Sequence, residues 1–134
     1  IPLLDTSMVT DMSSMFMHCV NLKTLPLIDC SSVSQMRDMF RGCTSLTDMA
    51  GLKDLGKNAA LKHTGNDTFR TGNGLAASPI PLTHASIINI FNNLYDRASA
   101  GYSVATIAFD NEVTGISDEE IAIITSKGWT LAWS

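Results

Sequence analysis

Long hydrophobic runs are missing from this chain of 134 residues: no apolar stretch approaches the roughly 20 residues that a bilayer-spanning helix needs, so no membrane span is expected within it. Basic charge is sparse as well. Nine Lys and Arg stand against 13 Asp and Glu, a formal net charge of -4. The nine are scattered from Lys23 to Lys127, which leaves no basic face for nucleic acid. Three cysteines are an odd number, which argues against a closed disulfide framework. The opening residues IPLLDTS lack the charged-then-apolar order of a secretory signal.

Signatures of chemistry are absent too. The chain has no Gly-rich phosphate loop after a strand, no nucleophile elbow, no HExxH and no CxxC, so no catalytic residue is assigned and an enzyme is not expected. His18, His63 and His84 have no second His, Cys or carboxylate at a recurring metal-ligand spacing. The stretch with Asn66, Asp67 and Asn73 carries a single carboxylate, too little charge for a hard cation. No metal and no cofactor are therefore expected.

What is present is a repeat. The stretch DTSMVTDMSSMFMHCVNL, Asp5 to Leu22, returns as DCSSVSQMRDMFRGCTSL, Asp29 to Leu46. Leu3 maps to Leu27, Val9 to Val33, Met12 to Met36, Met15 to Met39, Phe16 to Phe40, Cys19 to Cys43 and Leu22 to Leu46, all at an offset of 24. A period of roughly 20 to 29 residues with leucines clustered at one end is the signature of a leucine-rich solenoid, in which no single turn buries its own apolar face and stacking does so instead. The expected fold is a short right-handed α/β solenoid, a leucine-rich-repeat stack with a parallel sheet on one side and short helices on the other. Its strands are expected near Leu3, Leu27, Leu52, Ile80, Ile107 and Leu131, at spacings of 24, 25, 28, 27 and 24.

The same residues carry a family resemblance. The pattern DTSxVTxMSxMFxxCxxL resembles the BspA-like branch of leucine-rich repeats in bacterial surface proteins, with the motif in register over residues 3–49. LTHASIINIFNNLYDRASAG and SDEEIAIITSKGWTLA resemble the degenerate closing units of such proteins, whereas Gly51 to Ala77 lacks the motif residues. The resemblance implies a cell-surface or secreted protein that binds protein, with adhesion to host matrix or to other cells as its role. The competing expectation is a structural spacer or phage-fibre-like element, with recognition carried elsewhere.

Taken in order, the chain divides into two regular repeats (1–50), an irregular repeat with a Gly-rich loop (51–79), and two degenerate repeats with a C-terminal cap (80–134). Ile1 and Leu3 sit where Leu25 and Leu27 sit one repeat later, so the chain is expected to be a piece of a longer protein. Val9, Met12, Met15, Phe16 and Cys19 read as the inward stripe of a first short helix, and Val33, Met36, Met39, Phe40 and Cys43 as that of a second. All seven Met lie between Met8 and Met49, and at this spacing beside Phe and Cys they read as core filler rather than soft-metal ligands. Cys19 and Cys43 read as a ladder of small buried hydrophobes; a disulfide between them stays open if their α-carbons fall within about 7 Å. Thr83 is expected to cap a helix from about His84 to Ala98 with Ile87, Ile90, Phe91 and Leu94 inward. Ser117 and Glu120 form a capping box for another. Trp129 to Trp133 is the last strand, its two Trp suited to covering the end of the stack. The outward strand positions Leu4, Ile28, Thr106 and Thr130 are the candidate binding residues; for Leu4 and Ile28 the other reading is cover by neighbouring chain.

Overall fold

In the first repeat every second amide leaves its own turn and bonds the next one. The structure, a computed structural model, describes residues 4–61, 64, 82–109 and 115–133. Met12, Ser14, Phe16 and His18 donate their amides to the carbonyls of Gln35, Arg37, Met39 and Arg41 at 2.9, 2.9, 3.0 and 2.7 Å. The amides that follow Ser14, Phe16 and His18, those of Met15, Met17 and Cys19, close tight turns onto the carbonyls of Met12, Ser14 and Phe16. Positive φ recurs every four residues, at Ser14 (60°) and His18 (61°) and again at Asp38 (54°) and Gly42 (77°).

The helices expected over Val9 to Cys19 and Val33 to Cys43 are therefore corrected: both segments are successions of turns. A helix needs each amide for the carbonyl four residues back and excludes left-handed residues. Here alternate amides are committed to the neighbouring turn. Apolar spacing did not distinguish the two, because a turn of four residues returns Phe16 to the side of Met12 much as 3.6 residues of helix would. Met12, Phe16, Met36 and Phe40 are all buried, and the Phe16 and Phe40 rings stack at 5.9 Å with 4° between their planes.

β1 (Ile28–Asp29) pairs in parallel with β2 (Leu52–Lys53), Ile28 opposite Leu52. The third strand thus follows at the same offset of 24, measured from Ile28, and not at 25 from Leu27. The strand alternation slips just before it. Leu25 donates to Asp48 and Ile28 to Gly51, three residues apart where a regular ladder steps by two. Pro26 has no amide to give and lies inside the slip. Leu25 and Ile28 consequently both face the core, and Leu27 points out, 56% exposed. Gly51 lies so close beneath the slip that a Cβ would come within 2.6 Å of the Leu25 carbonyl oxygen.

The carboxy-terminal part follows its local signals more closely. Thr83 accepts from the Ser86 amide at the start of α1 (His84–Asn93), whose Ile87, Ile90 and Phe91 are buried. This helix stops before the expected Ala98 because Leu94 turns extended and bridges Leu55, with the Tyr95 amide donating to the Leu55 carbonyl at 3.0 Å. β3 (Ala105–Phe109) and β4 (Trp129–Trp133) run parallel with Ile107 opposite Leu131, and α2 (Asp118–Ser126) crosses between them behind its Ser117–Glu120 capping box. The strands expected at Leu3 and Ile80, His63, and the stretch with Asn66, Asp67 and Asn73 lie outside the described residues.

Candidate binding surface

Alternation along β3 buries Ala105, Ile107 and Phe109 and turns Thr106 and Ala108 outward; β4 buries Trp129 and turns Thr130 outward. Parallel register then sets Thr106 directly beside Thr130. Their hydroxyl oxygens are 3.1 Å apart, and Thr130 Oγ1 also donates to the Ala105 carbonyl at 3.4 Å. Beneath them Phe109 packs on Phe91, ring centroids 6.5 Å apart, which ties the pair to α1. On the far edge of β3, Thr64 donates its amide to the Thr106 carbonyl at 3.1 Å, and its hydroxyl accepts from the Ala108 amide at 3.3 Å. The result is a small, rigid, hydroxyl-bearing strand face.

The other two candidates are elsewhere. Leu4 lies on the first turn, 38% exposed. Ile28 is fully buried in β1, so the outward assignment is corrected: the slip at Pro26 exchanged it with Leu27, the residue that does reach solvent.

Sequence reasoning missed Arg97. This side chain is buried, and its guanidinium spreads over backbone carbonyls: Nη1 donates to Gly56 (2.7 Å) and Asn58 (3.3 Å), Nη2 to Ala59 (3.4 Å) and Ser103 (3.1 Å), and Nε to Ser103 (3.2 Å). Its central carbon lies 5.4 Å from the Tyr102 ring centroid and 5.7 Å from that of Trp129. Burial lowers its pKa from the ordinary arginine value, while neighbouring Tyr102 opposes the shift. Nothing in LYDRASAG marks this arginine as interior, since an Arg after a helix is ordinarily solvated.

A groove of about 520 Å³ runs between β2 and the end of α1, bounded by Leu27, Leu52, Lys53, Asn92, Tyr95 and Lys127. Lys127 lowers into it from the end of α2 and donates to the Phe91 and Asn92 carbonyls at 3.0 and 2.7 Å, covering the carboxy-terminal dipole of α1. Its pKa is lowered, chiefly by desolvation, with Asp96 opposing. At the opposite end of the two helices His84 Nε2 meets the Glu120 carboxylate at 2.9 Å. Glu120 is held below the ordinary carboxylate range, first by the Ser117 amide and then by His84. Lys127 and Glu120 thus join the two helices, and their polar atoms are engaged in doing so. Among the described residues no three His, Cys, Asp or Glu side chains converge on a point, and no helix is long and apolar enough to cross a membrane.

Residues 1–63 are similar to a Mycoplasma protein family of unknown function, DUF285. No curated protein and no solved structure matches the chain. The DUF285-like segment holds both regular repeats and β2, and it ends just before Thr64; α1, α2 and the Thr106–Thr130 face lie beyond it.

Proposed function

We propose that this chain is a non-catalytic, protein-binding module: a short right-handed α/β solenoid of the leucine-rich-repeat kind, at the cell surface or secreted, whose strand face contacts host matrix protein or another cell. The observation that carries the reading is the Thr106–Thr130 pair, two outward hydroxyls held 3.1 Å apart by parallel register over a buried sheet face. Side chains ordered in advance lose little entropy on contact, so modest hydrogen bonds there give usable affinity. The offset of 24 between Ile28 and Leu52 and between Ile107 and Leu131 supports the solenoid part of the reading. The partner class rests on the resemblance to BspA-like surface proteins, since fold alone licenses no function.

The test is a binding screen of the purified chain against matrix and serum proteins, followed by Thr106→Glu and Thr130→Glu in any pair that binds. Each substitution should weaken binding about tenfold or more while leaving the melting temperature within a few degrees. Binding untouched by both would remove the strand face from the account. Failure of every partner favours the spacer or phage-fibre-like reading.

A further inference from the structure

Charge is divided unevenly along the chain. Residues 1–81 carry seven Lys and Arg and seven Asp and Glu, whereas residues 82–134 carry two and six, so the whole net charge of -4 falls on the second part. Both cations of that part turn inward. Arg97 is buried on backbone carbonyls, and Lys127 Nζ donates to the carbonyls of Phe91 and Asn92. Asp96, Asp118 and Glu119 are exposed. The part that bears β3 and β4 therefore presents net negative charge to solvent, its two cationic heads being committed to backbone carbonyls.

The outward rows of the β3–β4 sheet hold no charge of their own and no side-chain proton to give. Val104, 60% exposed, precedes Thr106 and Ala108 at the same parity, and Thr130 and Ala132 lie opposite the latter two. A hydroxyl has one proton and two lone pairs. Thr130 spends its proton on the Ala105 carbonyl, so in the hydrogen bond between the two threonines Thr106 is the donor. Both protons are thus used within the sheet. Two lone pairs on Thr106 Oγ1 and one on Thr130 Oγ1 remain, set among the methyl groups of Val104, Ala108 and Ala132.

We propose that this face takes a Lys or Arg side chain from a basic segment of a partner protein, its aliphatic stem along the methyl groups and its ammonium or guanidinium head donating to the threonine oxygens. The proposal deepens the strand-face reading and rests on it. A carboxylate finds no proton on the face and is repelled by the charge around it. A neutral donor makes the same hydrogen bonds without attraction. A long cationic side chain suits both parts of the face, because its stem packs on apolar surface while its head stays hydrated and donates. The charge of residues 82–134 draws such a segment in before contact, and salt screens that attraction.

The test titrates the full chain with three peptides of about ten residues that alternate Ser with Lys, Gln or Glu, read by NMR at the Thr106 and Thr130 amides and methyls and by fluorescence anisotropy. The Lys peptide should shift both threonines, bind about tenfold tighter than the Gln peptide, and lose about tenfold in affinity between roughly 50 and 300 mM NaCl. The Glu peptide should shift neither. Thr106→Val with Thr130→Val keeps shape and strand preference but removes the lone pairs, and should weaken the Lys peptide about tenfold. Thr130→Lys and Thr130→Glu add similar bulk, which covers the face whichever sign it carries, so both should weaken the Lys peptide. The Lys variant should do so about tenfold more than the Glu variant, a difference that bulk alone does not produce. Shifts from the Gln or Glu peptide as strong as those from the Lys peptide keep the strand face as a contact surface and overturn its cationic partner. Lys-peptide binding that leaves both threonines unshifted, or that survives the Val pair, overturns the inference as well. So does the absence of shifts with all three peptides, while the matrix and serum screen still decides the strand face itself.

Discussion

Phe40 shows what stacking does at the scale of one residue. Its ring is fully buried and lies flat on Phe16, so Phe40→Ala removes buried area and leaves a cavity between the turns. Urea unfolding should show a loss of about 3 to 5 kcal/mol; a loss below about 1 kcal/mol would mean the ring is not interior. Cys30 and Cys43 make a second test. Burial, the largest cause in each case, pushes their thiols up to about 12 and about 11 from an ordinary 9.0. A group whose folded pKa is raised contributes its stability in full below the unfolded value, and loses that contribution as pH rises toward the folded one. The melting temperature should therefore decline from about pH 9 upward, and Cys30→Val should decline less steeply. Parallel alkaline slopes for the two proteins would contradict the burial of Cys30.

At the scale of elements, α2 depends on its first turn. Ser117 accepts the Glu120 amide at 3.2 Å and donates its own amide to the Glu120 carboxylate at 2.8 Å. Ser117→Ala should destabilise the protein by about 0.5 to 2 kcal/mol, measured by thermal melting, and Ser117→Asn by much less; equal losses would deny the cap its role. This cap, that of Thr83, and the offset of 24 between Ile107 and Leu131 were all legible in the sequence, because each is a local or periodic rule with residue-specific chemistry. The turns at Met12 to Cys19 were not. An apolar stripe at three- and four-residue spacing fits a helix and a run of tight turns equally, and left-handed Ser14 and His18 carry no sequence mark. Ile28 was misplaced for a different reason: alternation was carried straight through Pro26, where the missing amide shifts the ladder by one residue. Of the candidate surface, Thr106 and Thr130 were legible as a pair through their register. Leu27 was not, and Arg97 was invisible, since its interior position depends on carbonyls of Gly56, Asn58 and Ala59 some forty residues away.

At the scale of the whole molecule, Arg97 connects parts that the repeat alone does not. Its guanidinium holds carbonyls of 56–59 and of Ser103 against the Trp129 ring, and thereby links the segment after β2 to the loop before β3. Arg97→Lys keeps the charge but loses the planar fork, leaving buried carbonyls without donors. It should cost about 2 kcal/mol or more in urea unfolding, and proteolysis should find 56–61 more accessible; unchanged values in both would reduce Arg97 to packing. The central claim remains the stacking of turns in parallel at an offset of 24, since the core and the strand face both follow from it. Through-hydrogen-bond NMR couplings between amide nitrogen and carbonyl carbon read that claim directly. Couplings from Met12 to Gln35, Ser14 to Arg37, Phe16 to Met39 and His18 to Arg41 are the predicted result. Couplings from the same four amides to carbonyls four residues back in their own turn would contradict it.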